Sequence, residues 1–462
     1  MTAASQGPTG GRVGPDPVRS GPGGTVRYAA DAVVPADGSG PVLRPGVVEV
    51  VGGTITHVGR SADPDAAGPV REVRVRGALL PGLVNVHCHS PMTLFRGSGE
   101  GLPLLRWLTE VLWPQEAHLT EEDVFWGMTL AAAELLCFGV TTSCEAYFFE
   151  DALADAVVAA GSRAVVTPGV LQLPGTESDG RWWSRRTDEI VDFHRRRDGD
   201  HDRIEVGFAP HAAYTVPLPV LADIAGVARD LGALFHLHLA ETEGECVRFA
   251  EEHGGSTPSV LAGAGVFGGR VLAAHSVWLS DHDMSLYQEY DIAVAHCPQS
   301  NAKLASGTAP LVELLARGIR VGVGTDGPAS NNDLDLWEDM RFAAMMARIR
   351  EGDASVVPAA TALDLATRGA GAALGRPDLG VLSPGARADM MAVDLDQPAL
   401  VPWLHDDQLV DHLVWSGSSR LITDVWVAGR RVVESGRCTT VDVERARREV
   451  EARARRLLRQ GG

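Results

Sequence analysis

Between residues 80 and 380 the chain repeats one pattern: a short apolar run, then a longer Ala- and Leu-rich stretch. The runs are LVNVHCH (83–89), VTTSCEAY (140–147), RAVVTPGV (163–170), RIEVGFAP (203–210), LFHLHL (234–239), VLAAHS (271–276), DIAVAHC (291–297) and IRVGVGTD (319–326). Short β-branched runs bounded by turn residues read as strands and the longer stretches as helices. Eight such units are the count of a closed (β/α)8 barrel, an α/β fold that builds its active site at the C-terminal ends of its strands. An open doubly wound sheet is the structural alternative.

On either side of this repeat the texture is β-rich. Residues 25–80 contain VVEVVGGTITHVG, in which Gly52-Gly53 predicts a hairpin, and residues 381–440 resemble them in style. The two ends are expected to form one small β-sandwich beside a barrel of residues 81–380. Residues 1–24 hold too much Gly, Pro and Ser to bury a core and are expected to be a disordered tail. Residues 441–462 place apolar positions at helical spacing among opposite charges, which predicts a C-terminal amphipathic helix.

Charge narrows the partners. Lys and Arg number 41 against 60 Asp and Glu, a net charge of −19, which offers no attraction to nucleic acid or anionic lipid. No run approaches a membrane-spanning length, and the N-terminus lacks a basic segment followed by an apolar one. The expectation is a cytoplasmic protein with a small-molecule substrate, no nucleic acid and no membrane. Its six cysteines, Cys88, Cys137, Cys144, Cys246, Cys297 and Cys438, form no CxxC pair and read as free thiols.

The strand ends carry the chemistry. His87 and His89 alternate at the first, His238 closes LFHLHL with Glu241 three residues on, His275 closes AAHS, and Asp326 closes GVGTD. Three histidines and an aspartate suit Zn²⁺ or Fe²⁺ and not soft copper or an iron–sulfur cluster. Such an ion acidifies a bound water toward neutrality. Glu241 is then placed to move protons, and His275 or Asp326 to orient the resulting hydroxide.

These residues resemble the amidohydrolase superfamily, in particular its branch of S-adenosylhomocysteine/methylthioadenosine deaminases and s-triazine chlorohydrolases. The resemblance runs from about residue 45 to 440. It is carried by PGLVNVHCHSPMTLFRG (81–97), WLTEVLWPQE (107–116), PHAAYT (210–215), HLAETEGE (238–245), AAHSVWLS (273–280), HCPQSNAKLASGTAP (296–310) and VGTDGPASNN (323–332). It implies that His87, His89, His238 and Asp326 bind one divalent metal ion, zinc as a rule and iron in some members. Glu241 would be the general acid/base, Asp326 would accept the proton of the water, and His275 would hydrogen-bond water or substrate. Binuclear relatives use a carbamylated lysine on strand 4, but RIEVGFAP has none and Lys303 lies beyond strand 7, so a mononuclear site is implied.

In deaminating members hydroxide adds to the amino-bearing ring carbon and ammonia leaves; the same machinery displaces chloride from a triazine. Glu116 matches the position that holds the ribose hydroxyls of a nucleoside, with the first turn of a helix opened by LTEED as its plainer reading. His211 matches a further substrate contact. Relatives that hold the homocysteine carboxylate use arginines, one in a TRG-like motif that reads TPG here, with Pro168. Arg181 is the candidate replacement; otherwise the substrate carries no carboxylate. Glu145 in SCEAY is expected to support the site. Trp182-Trp183 would stack on a flat ring or pack a loop, and Met345-Met346 are expected in the core. The leading reading is a metal-dependent hydrolytic deaminase of an adenine nucleoside: adenosine, 5′-deoxyadenosine, methylthioadenosine or S-adenosylhomocysteine. An s-triazine chlorohydrolase and a guanine- or cytosine-type deaminase are alternatives; a catalytically silent barrel is opposed by the intact set. A homo-oligomer, dimer or tetramer, is implied by analogy.

Overall fold

The computed structural model describes residues 24–38, 40–66, 68–173 and 181–461. The expected tail, Gly24 apart, lies outside the described residues.

The chain opens with β1 (Thr25–Val33), β2 (Gly46–Val51), β3 (Thr54–Gly59) and β4 (Val70–Pro81). There follow β5 (Leu83–Cys88), β6 (Val140–Tyr147), β7 (Arg163–Val170), β8 (Ile204–Val206), β9 (Ala209–Pro210), β10 (Leu234–Leu239), β11 (Arg270–His275), β12 (Ala293–His296) and β13 (Val321–Val323). It closes with β14 (Met390–Val393), β15 (Ile422–Val427), β16 (Arg430–Glu434) and β17 (Arg437–Cys438).

β5 to β13 are all parallel and form two half-barrels, β5-β6-β7-β8 with β9 beside β7, and β10-β11-β12-β13. Backbone hydrogen bonds join the halves. The Phe208 N–H donates to Leu234 and the His236 N–H to Phe208, both at 2.8 Å, while the Asp326 N–H donates to His87 at 3.1 Å. Gly324 permits that last approach, because a Cβ there would lie 2.8 Å from the His87 backbone. Helices fill the connections, among them Glu121–Cys137, Glu150–Ala160, Trp182–Arg197, Leu218–Leu231, Glu243–His253 and Asp281–Glu289. Three of these start on capping boxes, Thr120 with Asp123, Thr242 with Glu245 and Ser280 with Asp283, which satisfy backbone donors at the helix start.

The chain ends share one eight-stranded sheet, β17-β16-β15-β14-β4-β1-β2-β3, antiparallel except where β1 meets β4. Gly52 (φ +58°) and Gly53 (φ +86°) turn the β2–β3 hairpin, both in the left-handed conformation such a two-residue turn demands. The sheet folds on itself. Tyr28 on β1 and Trp426 on β15 meet with ring centroids 5.3 Å apart, although strands three apart in a flat sheet stand about 14 Å apart. The C-terminal helix spans Val443–Gly461 and buries Ala446, Val450 and Leu457. Met345 corrects an expectation: it is 43% exposed, because Ala343, Ala344 and Ala347 take the inner face of helix Leu336–Glu351. Trp182 and Trp183 are half-buried and pack on the core. Among the described residues no helix is long and apolar enough to cross a membrane.

Candidate active site

Strand alternation and strand-end turns bring the site together. On β10 the period of two sends Leu234, His236 and His238 to one face, and Phe235, Leu237 and Leu239 to the helix layer. His87 is the penultimate residue of β5, and the chain beyond His89 is anchored where the Glu145 carboxylate accepts from the Ser90 N–H (3.0 Å) and hydroxyl (2.6 Å). His275 (φ +71°), the last residue of β11, and Asp326 (φ +60°), just past β13, both adopt left-handed backbone, a strained conformation of the kind that collects at functional sites.

The side chains converge. Asp326 Oδ1 lies 3.3 Å from Nε2 of both His87 and His89, and the Nε2 atoms of His89 and His238 are 3.2 Å apart. His275 Nε2 stands 3.7 Å from Glu241 Oε2. Each imidazole is held from behind through Nδ1. His89 bonds to the carbonyl of Ala146, His238 to that of His211 (2.8 Å), and His275 to Oδ1 of Asn301 (2.9 Å). His87 Nδ1 meets His236 Nε2 at 2.8 Å. The Thr167 hydroxyl donates to the Glu145 carbonyl and so accepts from His236 Nδ1, which makes His236 Nε2 the acceptor and His87 Nδ1 the donor. These bonds thus aim the Nε2 of all four imidazoles toward the centre. Asp326 Oδ2 accepts from Ser300 and Ser330, both at 2.7 Å, which leaves Oδ1 facing the histidines.

This arrangement fits a divalent cation. His87 Nε2 is buried without a hydrogen-bond partner, and the donor atoms of His87, His89 and Asp326, like those of His87, His238 and His275, lie within 4.8 Å of one another. Burial lowers His87 to about 4 and His238 well below its usual value, so both are neutral, as ligation requires. Burial also raises Asp326, but the His87 contact and neighbouring imidazoles outweigh it and hold the carboxyl well below the usual range.

The cluster opens into a cavity at the strand ends. Glu241 lines it, pushed up to about 8 by burial and by the charge of Asp326, with the Ser306 hydroxyl 3.4 Å away. Glu116 lines it too, raised to about 7 by burial, with one oxygen accepting from the Tyr147 hydroxyl at 2.7 Å. It belongs to the turn Trp113–Glu116 and not to the helix that LTEED opens, which starts at Glu121. His211 is a third lining residue, its Nδ1 3.0 Å from the Thr215 hydroxyl. Arg181 stands exposed at the start of helix Trp182–Arg197, away from this lining and next to residues 174–180, which lie outside the described residues.

Several site residues escape motif reading. His236 is legible in LFHLHL, two residues before His238, and Ser300, Asn301 and Ser306 all sit in HCPQSNAKLAS, a segment that touches Asp326, His275 and Glu241 in turn. Thr167 carries no local signal, since its partner comes from another strand.

The amidohydrolase family model matches residues 78–432. A 5-methylthioadenosine/S-adenosylhomocysteine deaminase of Pelotomaculum thermopropionicum is 39% identical over 92% of this chain and 97% of its own. One of Desulforudis audaxviator is 42% identical over 82% and 86%. Among solved structures, an adenosine deaminase of Xanthomonas campestris with bound zinc is 34% identical, with a TM-score of 0.87 over 94% of this chain and 98% of that one. The fold is shared with an atrazine chlorohydrolase of Arthrobacter aurescens, at 24% identity and a TM-score of 0.82 over 93% and 100%.

Proposed function

The chain belongs to the amidohydrolase family, and from that premise we propose that it is a hydrolytic deaminase of adenine nucleosides, cleaving the exocyclic C–N bond of a cyclic amidine. The observation that carries this reading is that one cavity holds both the inward-facing His and Asp cluster and, on its wall, the buried Glu116 carboxylate. A vicinal diol offers such a carboxylate two hydroxyl donors side by side; a small chlorotriazine carries no diol.

His87, His89, His238 and Asp326 would hold the metal, zinc by preference and iron as the alternative. That ion supplies, when bound, Lewis acidity and a water acidified toward neutrality. Glu241 keeps its proton at neutral pH because of its burial, and is set to give it to a ring nitrogen beside the amino-bearing carbon. It then takes the proton of the hydroxyl added at that carbon and hands it to the departing amine, which leaves as ammonia as the ring carbonyl forms. Asp326, with Oδ2 engaged by two serines, has Oδ1 available to accept the proton of the attacking water. His275, its Nδ1 proton committed to Asn301, presents Nε2 as an acceptor that orients that water. Glu116 would accept from the ribose hydroxyls while Tyr147 steadies its other oxygen.

The test is ammonia release by zinc-loaded protein from adenosine, 5′-deoxyadenosine, methylthioadenosine, S-adenosylhomocysteine, guanine, cytosine and a chlorotriazine. Adenine nucleosides are expected to turn over, with kcat reduced about 10²- to 10⁴-fold in Glu241→Gln at unchanged metal content. Silence on every adenine compound with metal bound, and chloride release from the triazine, would replace this reading with the chlorohydrolase one.

A further inference from the structure

The deaminase reading leaves the 5′ end of the nucleoside unassigned, and the cavity wall addresses it. Among the described residues the acidic ones lining the cavity are Glu116, Glu241 and Asp326, and no Lys or Arg lines it. Besides its imidazoles and carboxyl groups, the wall includes Leu104, Leu108, Leu112, Trp113, Phe148 and Leu171. An arginine does approach from behind: Arg186 Nε donates to the carbonyl of the lining residue Gly169 at 3.1 Å. Its other nitrogens are taken by Glu150, at 2.8 and 2.9 Å, so its donors are committed outside the cavity. Arg181, on the same helix, is exposed and off the lining, and the adjacent sequence PGTESDG (174–180) has no basic residue.

With the amino-bearing carbon at the strand ends and the diol at Glu116, whatever the 5′ carbon bears meets this apolar wall. A carboxylate there would be desolvated without a counter-charge, in a cavity that already holds Glu116, and a buried charge left unpaired is strongly unfavourable. An alkylthio group gains from the same burial. We propose that the cavity selects adenine nucleosides with an uncharged, apolar 5′ substituent and discriminates against those that carry a carboxylate there, S-adenosylhomocysteine included. This rests on the deaminase reading and sharpens it.

The experiment compares kcat/KM of the metal-loaded full chain for 5′-methylthioadenosine, 5′-butylthioadenosine and S-adenosylhomocysteine. The butylthio compound matches the homocysteinyl chain in length without its charges. The two neutral thioethers are expected within about threefold of each other and S-adenosylhomocysteine at least about 100-fold lower, the order of penalty for an unmatched polar group in a closed site. Leu104→Arg, at a half-buried position of the wall, is expected to raise S-adenosylhomocysteine relative to the butylthio compound by about tenfold, as one added charge pair would. S-adenosylhomocysteine within about tenfold of its neutral analogue would overturn the proposal, all the more if that activity fell in Arg181→Ala. No gain in Leu104→Arg would overturn the assignment of this wall to the 5′ group. Turnover of no adenine nucleoside at all would instead bring down the deaminase reading on which the proposal stands.

Discussion

Glu116 is a carboxyl group 4% exposed in an apolar wall, with the Tyr147 hydroxyl as its hydrogen-bond donor, and that setting makes the fold sensitive to pH. Burial raises its pKa from 4.5 to about 7, so the folded chain keeps a proton that the unfolded chain gives up. The stability tied to that proton is complete below the unfolded value and is lost as pH rises through the folded one. A shift of this size corresponds to about 3 kcal/mol. Measured by urea unfolding against Glu116→Gln, which has nothing to ionise, the wild-type chain is expected to lose about 2 kcal/mol between pH 5 and pH 8. A difference between the two proteins that did not move with pH would mean the carboxyl ionises as though it were in water. Glu245 belongs to the same class. Burial and the charge of Glu241 raise it to about 7, while its oxygens accept from the Glu241 and Thr242 N–H groups and fix the turn that presents Glu241.

The element that backs the Glu116 wall is the last one in the chain. Helix Val443–Gly461 packs Val450 and Leu457 into the cluster that contains Trp107, Leu108 and Leu112, three residues of the segment leading to Glu116. Arg453 and Arg456 engage Asp123, the capping-box residue of helix Glu121–Cys137. At its far end the helix crowds Gln115: a Cβ on Gly461 would lie 2.6 Å from Gln115 Cγ. Leu457→Ala is expected to cost about 2–5 kcal/mol in unfolding free energy, since a fully buried leucine is removed. Ending the chain at residue 442 is expected to raise KM for adenine nucleosides by more than it lowers kcat, with metal content retained. Loss of metal in step with activity would show instead that the helix supports the whole barrel.

At the scale of the molecule, barrel and sheet are joined by a buried ion pair. Arg163 of β7 and Asp389, just ahead of β14, are 3% and 2% exposed and 2.9 Å apart. The aspartate also accepts from the Ala428 N–H at 2.6 Å, and the arginine donates to the carbonyl of Asp202. Asp389→Ala leaves a buried guanidinium with the Asp202 carbonyl as its remaining acceptor, and is expected to destabilise the protein by about 3–5 kcal/mol, read as a lower Tm, with activity of the folded fraction retained. A small loss would mean that water reaches the junction. Around that junction the composite sheet and the barrel share residues at sequence extremes: the Gly82 N–H donates to the Asp389 carbonyl at 2.9 Å.

The sequence by itself determined the repeat of strand and helix, and with it the strand ends where His87, His89, His238, His275, Glu241 and Asp326 stand, because period-two alternation and turn signals act over a few residues. The hairpin at Gly52-Gly53 was equally local, both glycines being needed for left-handed turns. Tertiary structure alone decided how the imidazoles are aimed. The Thr167, His236 and His87 relay draws on β7, β10 and β5, and the Asn301 contact to His275 joins residues 26 apart. It also decided which side chains wall the cavity and that Arg186 is committed elsewhere. Such choices depend on which distant residues the closed barrel sets side by side, and on the burial that shifts Glu116 and Glu241, quantities that no short window of sequence contains.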